Sequence, residues 1–287
     1  MTSATARKEK SGWVMTHRQR EIGAFIIRFL IGLIFIVPLF FTFSYSLRPD
    51  SELVNKSQSL LPEMWTLEHY EWVFKYVPVF RYMANSLIMC AIVICSKLIT
   101  ASLASYAFAF YQFKGSKFLF LIVTSATIIP GEVTLISNFL TVSQAGLRDT
   151  YIGLVAPFLV GTMSIFMMRQ FYMSLDHGYR EAAKIDGCGN FGFLFRIAIP
   201  LSVPTMASVA IYEFINIYNL YMWPLMISKS QEMYTIQVGM SMLVGQESDE
   251  PGNILAGAIL CMIPATILFV IGQKRLISGM VAGGMKG

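Results

Sequence analysis

Apolar residues gather into six long runs along this chain, at about 22–47, 84–110, 117–139, 151–171, 204–228 and 254–273. Each is near the roughly 20 residues that carry a helix across about 30 Å of hydrocarbon. The runs are continuous rather than alternating, and too long for the strands of a membrane barrel. They predict an all-α, polytopic membrane protein with six transmembrane helices. Pro130 and Pro224 predict kinks in the third and fifth spans, freeing carbonyls that suit a cavity wall.

Polar stretches divide the chain into a tail at 1–21, a membrane domain at 22–273 with a long loop at 172–203, and a second tail at 274–287. The segment after the first span mixes acids with Trp65, Tyr70, Trp72, Phe74 and Tyr76, a composition suited to short helices lying at the membrane–water interface. The loop at 228–253 gathers Glu247, Asp249 and Glu250 beside a Pro-Gly turn signal. Either segment is a contact surface for an outside partner, or an interfacial anchor and a solvated loop.

Composition agrees with the pattern. Of 287 residues, 55% are hydrophobic and 14% charged, where soluble domains sit near a quarter charged. The net charge of +5 would suggest nucleic acid in a soluble protein, but its distribution follows the spans. With both ends in the cytoplasm, Arg7, Lys8, Lys10, Arg18, Arg20, Lys114, Lys117, Arg169, Arg180, Lys184, Arg196, Lys274, Arg275 and Lys286 fall inside. The outside loops then carry more acids than bases, as the positive-inside rule requires. The expected location is a membrane with both chain ends on its cytoplasmic side, and the basic balance reports topology rather than a nucleic-acid surface. The basic start resembles a signal peptide, but the run after it is too long and no small-residue cleavage site follows. Cys90, Cys95, Cys188 and Cys261 form no CxxC pair, so neither a disulfide framework nor a zinc site is predicted; they read as small buried residues.

The chemistry concentrates in one loop, "EAAKIDGCGNFGFLFRIAIP" at 181–200. Ala182 and Ala183 favour helix, and Glu181 and Lys184 sit at contact spacing. Asp186-Gly187 breaks the run, and Asn190 is placed to cap a second short helix. Phe191 and Phe195, four apart, share a face that Ile199 continues. Pro200 and Pro204 close the loop and open the next span. A helix–turn–helix with an aromatic face is a knob for a cleft, unless those rings pack beneath their own membrane surface.

The exact residues favour the knob. Glu181, Ala182, Ala183, Asp186, Gly187, Phe195, Ile197, Pro200, Leu201 and Pro204 match the EAA loop of permease subunits in bacterial binding-protein-dependent ABC importers, with Cys188 for the usual alanine and Ile199 for the usual leucine. "TLEHYEWVF", "IIPGEVTLI", "NLYMWPLMI" and the tail "QKRLISGMVAGGMKG" resemble the maltose-type carbohydrate permeases, although Tyr218-Asn219 stands where that family has Trp-Asn, with Met222 before Trp223. The likeness runs from about residue 25 to the end.

The resemblance implies the type I ABC importer permease fold. Its expected partners are a second homologous permease in a heterodimer, two cytoplasmic ATPase subunits, an extracytoplasmic binding protein, a sugar and membrane lipid. The loop would hold the coupling helix: Glu181 on the ATPase surface, Gly187 at the turn, Phe191 or Phe195 filling the ATPase groove. The tail 283–287 would reach between the ATPases. The chain itself has no G-x-x-x-x-G-K-[ST] loop and no Gly-Lys dipeptide, so ATP and magnesium belong to the partner and no cofactor or catalytic residue is expected here.

Polar groups at membrane depth usually face a wet interior. Asn85, Lys97, Glu132, Asn138, Glu213, Asn216 and Asn219 are the candidates. Of these, Glu132, Glu213, Asn216 and Asn219, with Trp223, are predicted to line a substrate path; interhelical hydrogen bonding is the competing role for the asparagines. Lys97 is expected to extend its amine to the interface. Glycerol phosphate or another sugar-like anion is the alternative cargo, which would want more positive charge than Lys97 and Arg28 supply. A membrane enzyme would need a catalytic set at depth, whereas His17, His69 and His177 are scattered outside it. A stand-alone secondary transporter would leave the loop without a purpose.

Overall fold

The computed structural model describes residues 17–54, 61–243 and 250–284. Among them the chain is helical and strand-free. Helix α1 (His17–Ser46) is the first crossing, and its apolar window buries none of its residues against the rest of the chain. The short α2 (Asp50–Val54) and α3 (Glu68–Tyr76) follow, and α4 (Val79–Phe110) is the second crossing.

The third run is not a kinked helix. α5 (Ser116–Ser125), prolonged by a 3₁₀ turn to Ile128, meets α6 (Gly131–Gln144) at 95°. Pro130 explains the difference: it has no N–H to give the preceding turn, and its ring pushes Ile129 into extended geometry at φ −79°, ψ 115°. The fourth run bends by 50° between α7 (Tyr151–Val155, extended by a 3₁₀ turn to Phe158) and α8 (Thr162–Ser174), where Pro157 and Gly161 stand. Among the described residues four helices are therefore long and apolar enough to cross unbroken, and up to six crossings result when each bent pair is one span.

After α9 (His177–Ile185), α10 (Asn190–Phe193) passes through a π-helical turn at Leu194–Ala198 into α11 (Ile199–Tyr218), one continuous run of 29 residues. Pro200 and Pro204 thus lie inside a helix already begun, not at its start. The π turn shifts the bonding so that the Ile199 amide reaches Leu194 O, which accommodates the prolines that follow. The span stops at Tyr218, ten residues before the expected end. Pro224 sits in the separate α12 (Met222–Ile227) and kinks no span. α13 (Ile236–Ser241) and α14 (Pro251–Gly284) complete the chain.

Two cores tie these elements. One, around Val93, Phe214, Tyr218, Trp223 and Ile236, joins α4 and α11 to α12–α14. The other, around Tyr106, Met168, Tyr172, Phe193 and Leu194, joins α4, α8 and the π turn beside the 175–200 loop. Cys90 is buried but Cys95 is exposed on α4, so the cysteines do not share one role. Glu247, Asp249, residues 1–16 and the last three tail residues lie outside the described residues.

Candidate functional site

The 175–200 loop is rigid at its base and bare at its tip. Asp176 caps α9 by accepting from the Gly178 amide at 2.8 Å. Gly187 then turns the chain at φ 73°, a left-handed angle that glycine adopts without strain. The Cys188 amide reaches back to Ala183 O at 2.8 Å, closing the α9 end. Gly189, not Asn190, occupies the cap position of α10, with no side-chain cap; Asn190 is the first helical residue.

The base is anchored on α4. Tyr106 Oη donates to Asn190 O at 2.9 Å, and Arg180 Nη1 donates to Phe110 O at 2.6 Å. Phe193 packs edge-on to Phe110 at 5.4 Å between centroids, and Ala183, Phe193, Leu194 and Ala198 are buried. The tip presents Ile185 at 88%, Phe191 at 75% and Phe195 at 58% exposure. Glu181, Ala182, Asp186 and Pro200 are exposed as well. The two rings do not pack beneath their own chain; Phe193 and Leu194 take that place.

The path candidates separate into two groups. Asn216 and Asn219 lie on an exposed face of α11 with Tyr212 and Ile215. Their amides donate to Tyr212 O and Ile215 O at 2.9 and 2.8 Å, and Asn219 Oδ1 accepts from Gln237 Nε2 at 3.4 Å. Asn219 and Gln237, with Tyr218, Ser241 and Thr266, line a 460 Å³ cleft between α11, α13 and α14. Glu132 is exposed in the first turn of α6, beside the 95° break.

Glu213 and Trp223 belong elsewhere. Glu213 is buried and ion-paired to Lys97 at 2.6 Å while also accepting from Ser164 Oγ. Lys97 is therefore 8% exposed inside the bundle rather than extended to the interface, because a carboxylate on the neighbouring helix gives its charge a nearer partner than water. Trp223 is buried, donating from Nε1 to Leu154 O at 3.0 Å and meeting Phe158 edge-on. Asn85 is a structural pin: Nδ2 donates to Glu232 O and Tyr234 O, and Oδ1 accepts from Tyr151 Oη at 2.6 Å.

Sequence reasoning missed Ser164, Gln237 and His69. Each lies far in sequence from its partners, so no local spacing marks it. His69 is buried between Arg48 O, to which Nε2 donates at 2.8 Å, and Asn253 Oδ1 at 3.0 Å from Nδ1. It staples α3 to the start of α14.

Comparisons with known proteins agree with this architecture. Residues 12–281 match the family described as "Binding-protein-dependent transport system inner membrane component". The chain is 31% identical over 261 residues to the arabinooligosaccharides transport system permease protein AraQ of Bacillus subtilis (strain 168), covering 90% of this chain and 93% of that one. It is 28% identical to the sn-glycerol-3-phosphate transport system permease protein UgpE of Brucella abortus (strain 2308), covering 88% and 93%. Its fold superposes with TM-score 0.78 and 20% identity on a chain of a bacterial ABC transporter that imports the acidic polysaccharide alginate, over 92% of this chain and 99% of that one. The family match spans nearly the whole chain and makes it a transport component rather than an enzyme: the chain belongs to the binding-protein-dependent transport system inner membrane components, as an ABC importer permease.

Proposed function

We propose that this permease carries a neutral sugar or oligosaccharide, handed over by an extracytoplasmic binding protein, and that the 175–200 loop is its coupling contact with a cytoplasmic ATPase. The observation that carries the reading is the exposed apolar tip of Ile185, Phe191 and Phe195 on a buried, hydrogen-bonded base. Such a tip seats in a complementary groove, and its fixed base passes force to the spans instead of absorbing it. In this reading Glu181 meets the ATPase surface, the exposed Ala182 allows close approach, the buried Ala183 packs the base, and Asp186, Gly187 and Pro200 set the shape of the knob. The complete transporter contains a second homologous permease and two ATPases that bind ATP and magnesium. Both ends of this chain, including the tail at 283–287, lie on the ATPase side of a bacterial cytoplasmic membrane.

Neutral cargo is supported by the pairing of Lys97 with Glu213, which leaves that cation matched already. The amides of Asn216, Asn219 and Gln237 offer the donors and acceptors that sugar hydroxyls need, and the exposed Glu132 is a further path candidate. The likeness to arabinooligosaccharide permeases points the same way. The likeness to a glycerol-3-phosphate permease keeps the anionic alternative in play, with the second permease supplying positive charge. Co-purification tests the coupling reading. The ATPase is expected to accompany the wild-type chain in detergent and to be lost with Phe191→Ala combined with Phe195→Ala; full retention with that variant refutes the contact.

A further inference from the structure

We propose that Lys97, Ser164 and Glu213 form a latch that makes α4, α8 and α11 move as one body when the knob moves. This inference rests on the coupling reading above. Each residue comes from a different helix, and each is buried: Lys97 at 8% exposure, Glu213 at 3% and Ser164 at 0%. Both Glu213 oxygens are used, one by Lys97 Nζ at 2.6 Å and one by Ser164 Oγ. Gly161, at the bend of the fourth span, leaves no room beside them. A Cβ there would stand 2.9 Å from Ser164 Oγ, 3.0 Å from Lys97 Cδ and 3.1 Å from Glu213 Oε1. Next to Lys97, Ser96 Oγ donates to Leu159 O at 2.8 Å and ties α4 to the same bend.

A buried ion pair stabilises little compared with apolar residues of the same volume, so its presence is better explained by geometry than by stability. Separating the pair strands two charges in a dry interior. The helices therefore move together or not at all. Glu213 stands 18 residues beyond Phe195 on one unbroken helical run, about 27 Å along the axis. At the other end the knob grips α4 through Tyr106–Asn190 and Arg180–Phe110. α4 and α11 are thus joined at two levels, beside the knob and at mid-bundle, and α8 packs into both. Glu213 is also one turn from Asn216, which puts the latch beside the proposed path. These are positioning residues: they touch one another, not cargo or ATP.

The test measures ATP hydrolysis by the assembled complex in liposomes, with and without its ligand-loaded binding protein. The readout is the stimulation ratio, which a purely structural role would leave unchanged in complexes that assemble. Glu213→Gln and Lys97→Met are expected to cut that ratio about tenfold by freeing basal hydrolysis, and the swap Lys97→Glu with Glu213→Lys to recover most of it. Ser164→Ala, which removes a bond but no charge, is expected to cut it by about threefold. Wild-type ratios in the assembled single variants overturn the latch. If the charge variants do not assemble, an unchanged ratio for Ser164→Ala overturns it alone. A wild-type complex that its binding protein does not stimulate, or whose ATPase co-purifies equally with the Phe191/Phe195 variant, refutes the coupling reading instead.

Discussion

Gly187 turns the knob at φ 73° with no heavy atom within 4 Å of where a Cβ would stand. Substitution there meets only backbone strain, of about 1–2 kcal/mol for a residue forced into the left-handed region. Gly187→Val is expected to cost that amount in melting of the purified complex, whereas Gly187→Asn, which tolerates the angle, is expected to melt near wild type. Asp149 adopts φ 61° and is held by a different device. Burial raises its carboxyl, but the amides of Ser230 and Lys229, at 3.0 and 2.8 Å from Oδ1, outweigh that and hold it below the usual carboxylate range. The folded state therefore prefers the charged form. Its stabilisation is full above the unfolded value of about 3.9 and is lost as pH falls through the lower folded value. Asp149→Asn, discounted for exposure, is expected to lower stability by about 1 kcal/mol at pH 7. The gap closes in strongly acid buffer, as melting curves across pH will register.

At the scale of elements, small residues decide where helices meet. α14 begins under the His69 staple, and a methyl group on Gly252 would overlap the imidazole ring. Gly252→Ala is expected to displace His69 from Arg48 O and Asn253 and to destabilise by about 1–3 kcal/mol; Gly257→Ala, against the flexible Leu243 and Met240 tips, is expected to cost less. Thermal unfolding of both variants checks the contrast. The elements also mark what the pattern of residues made legible. Six apolar runs announced the crossings, because burial in lipid selects composition directly. The breaks at Pro130 and Gly161 were less visible, since proline and glycine mark a disturbance without fixing its angle; 95° and 50° are set by what packs on either side. The π turn at Leu194–Ala198 left no local signature at all.

In the whole molecule, the 181–200 loop was readable because its residues are contiguous, and its tip is exposed. The Lys97–Ser164–Glu213 cluster was not, since its members lie 49 to 116 residues from Glu213 and only the folded bundle brings them together. Glu213 and Trp223 looked alike as polar or aromatic groups at depth, yet the fold spends both on interior bonds. Asn216 and Asn219 stay exposed, Asn219 in the cleft that α13 and α14 form with α11. The apolar window of α1, none of it buried, is likewise left bare by this chain.

The coupling contact can be tested by placing a photo-crosslinking side chain at Ile185 or Phe191 in intact cells. The account predicts adducts with the ATPase subunit at both positions and none from the exposed residue Ile34 on α1. Adducts confined to this chain, or labelling of Phe191 by a reagent held outside the membrane, would contradict it.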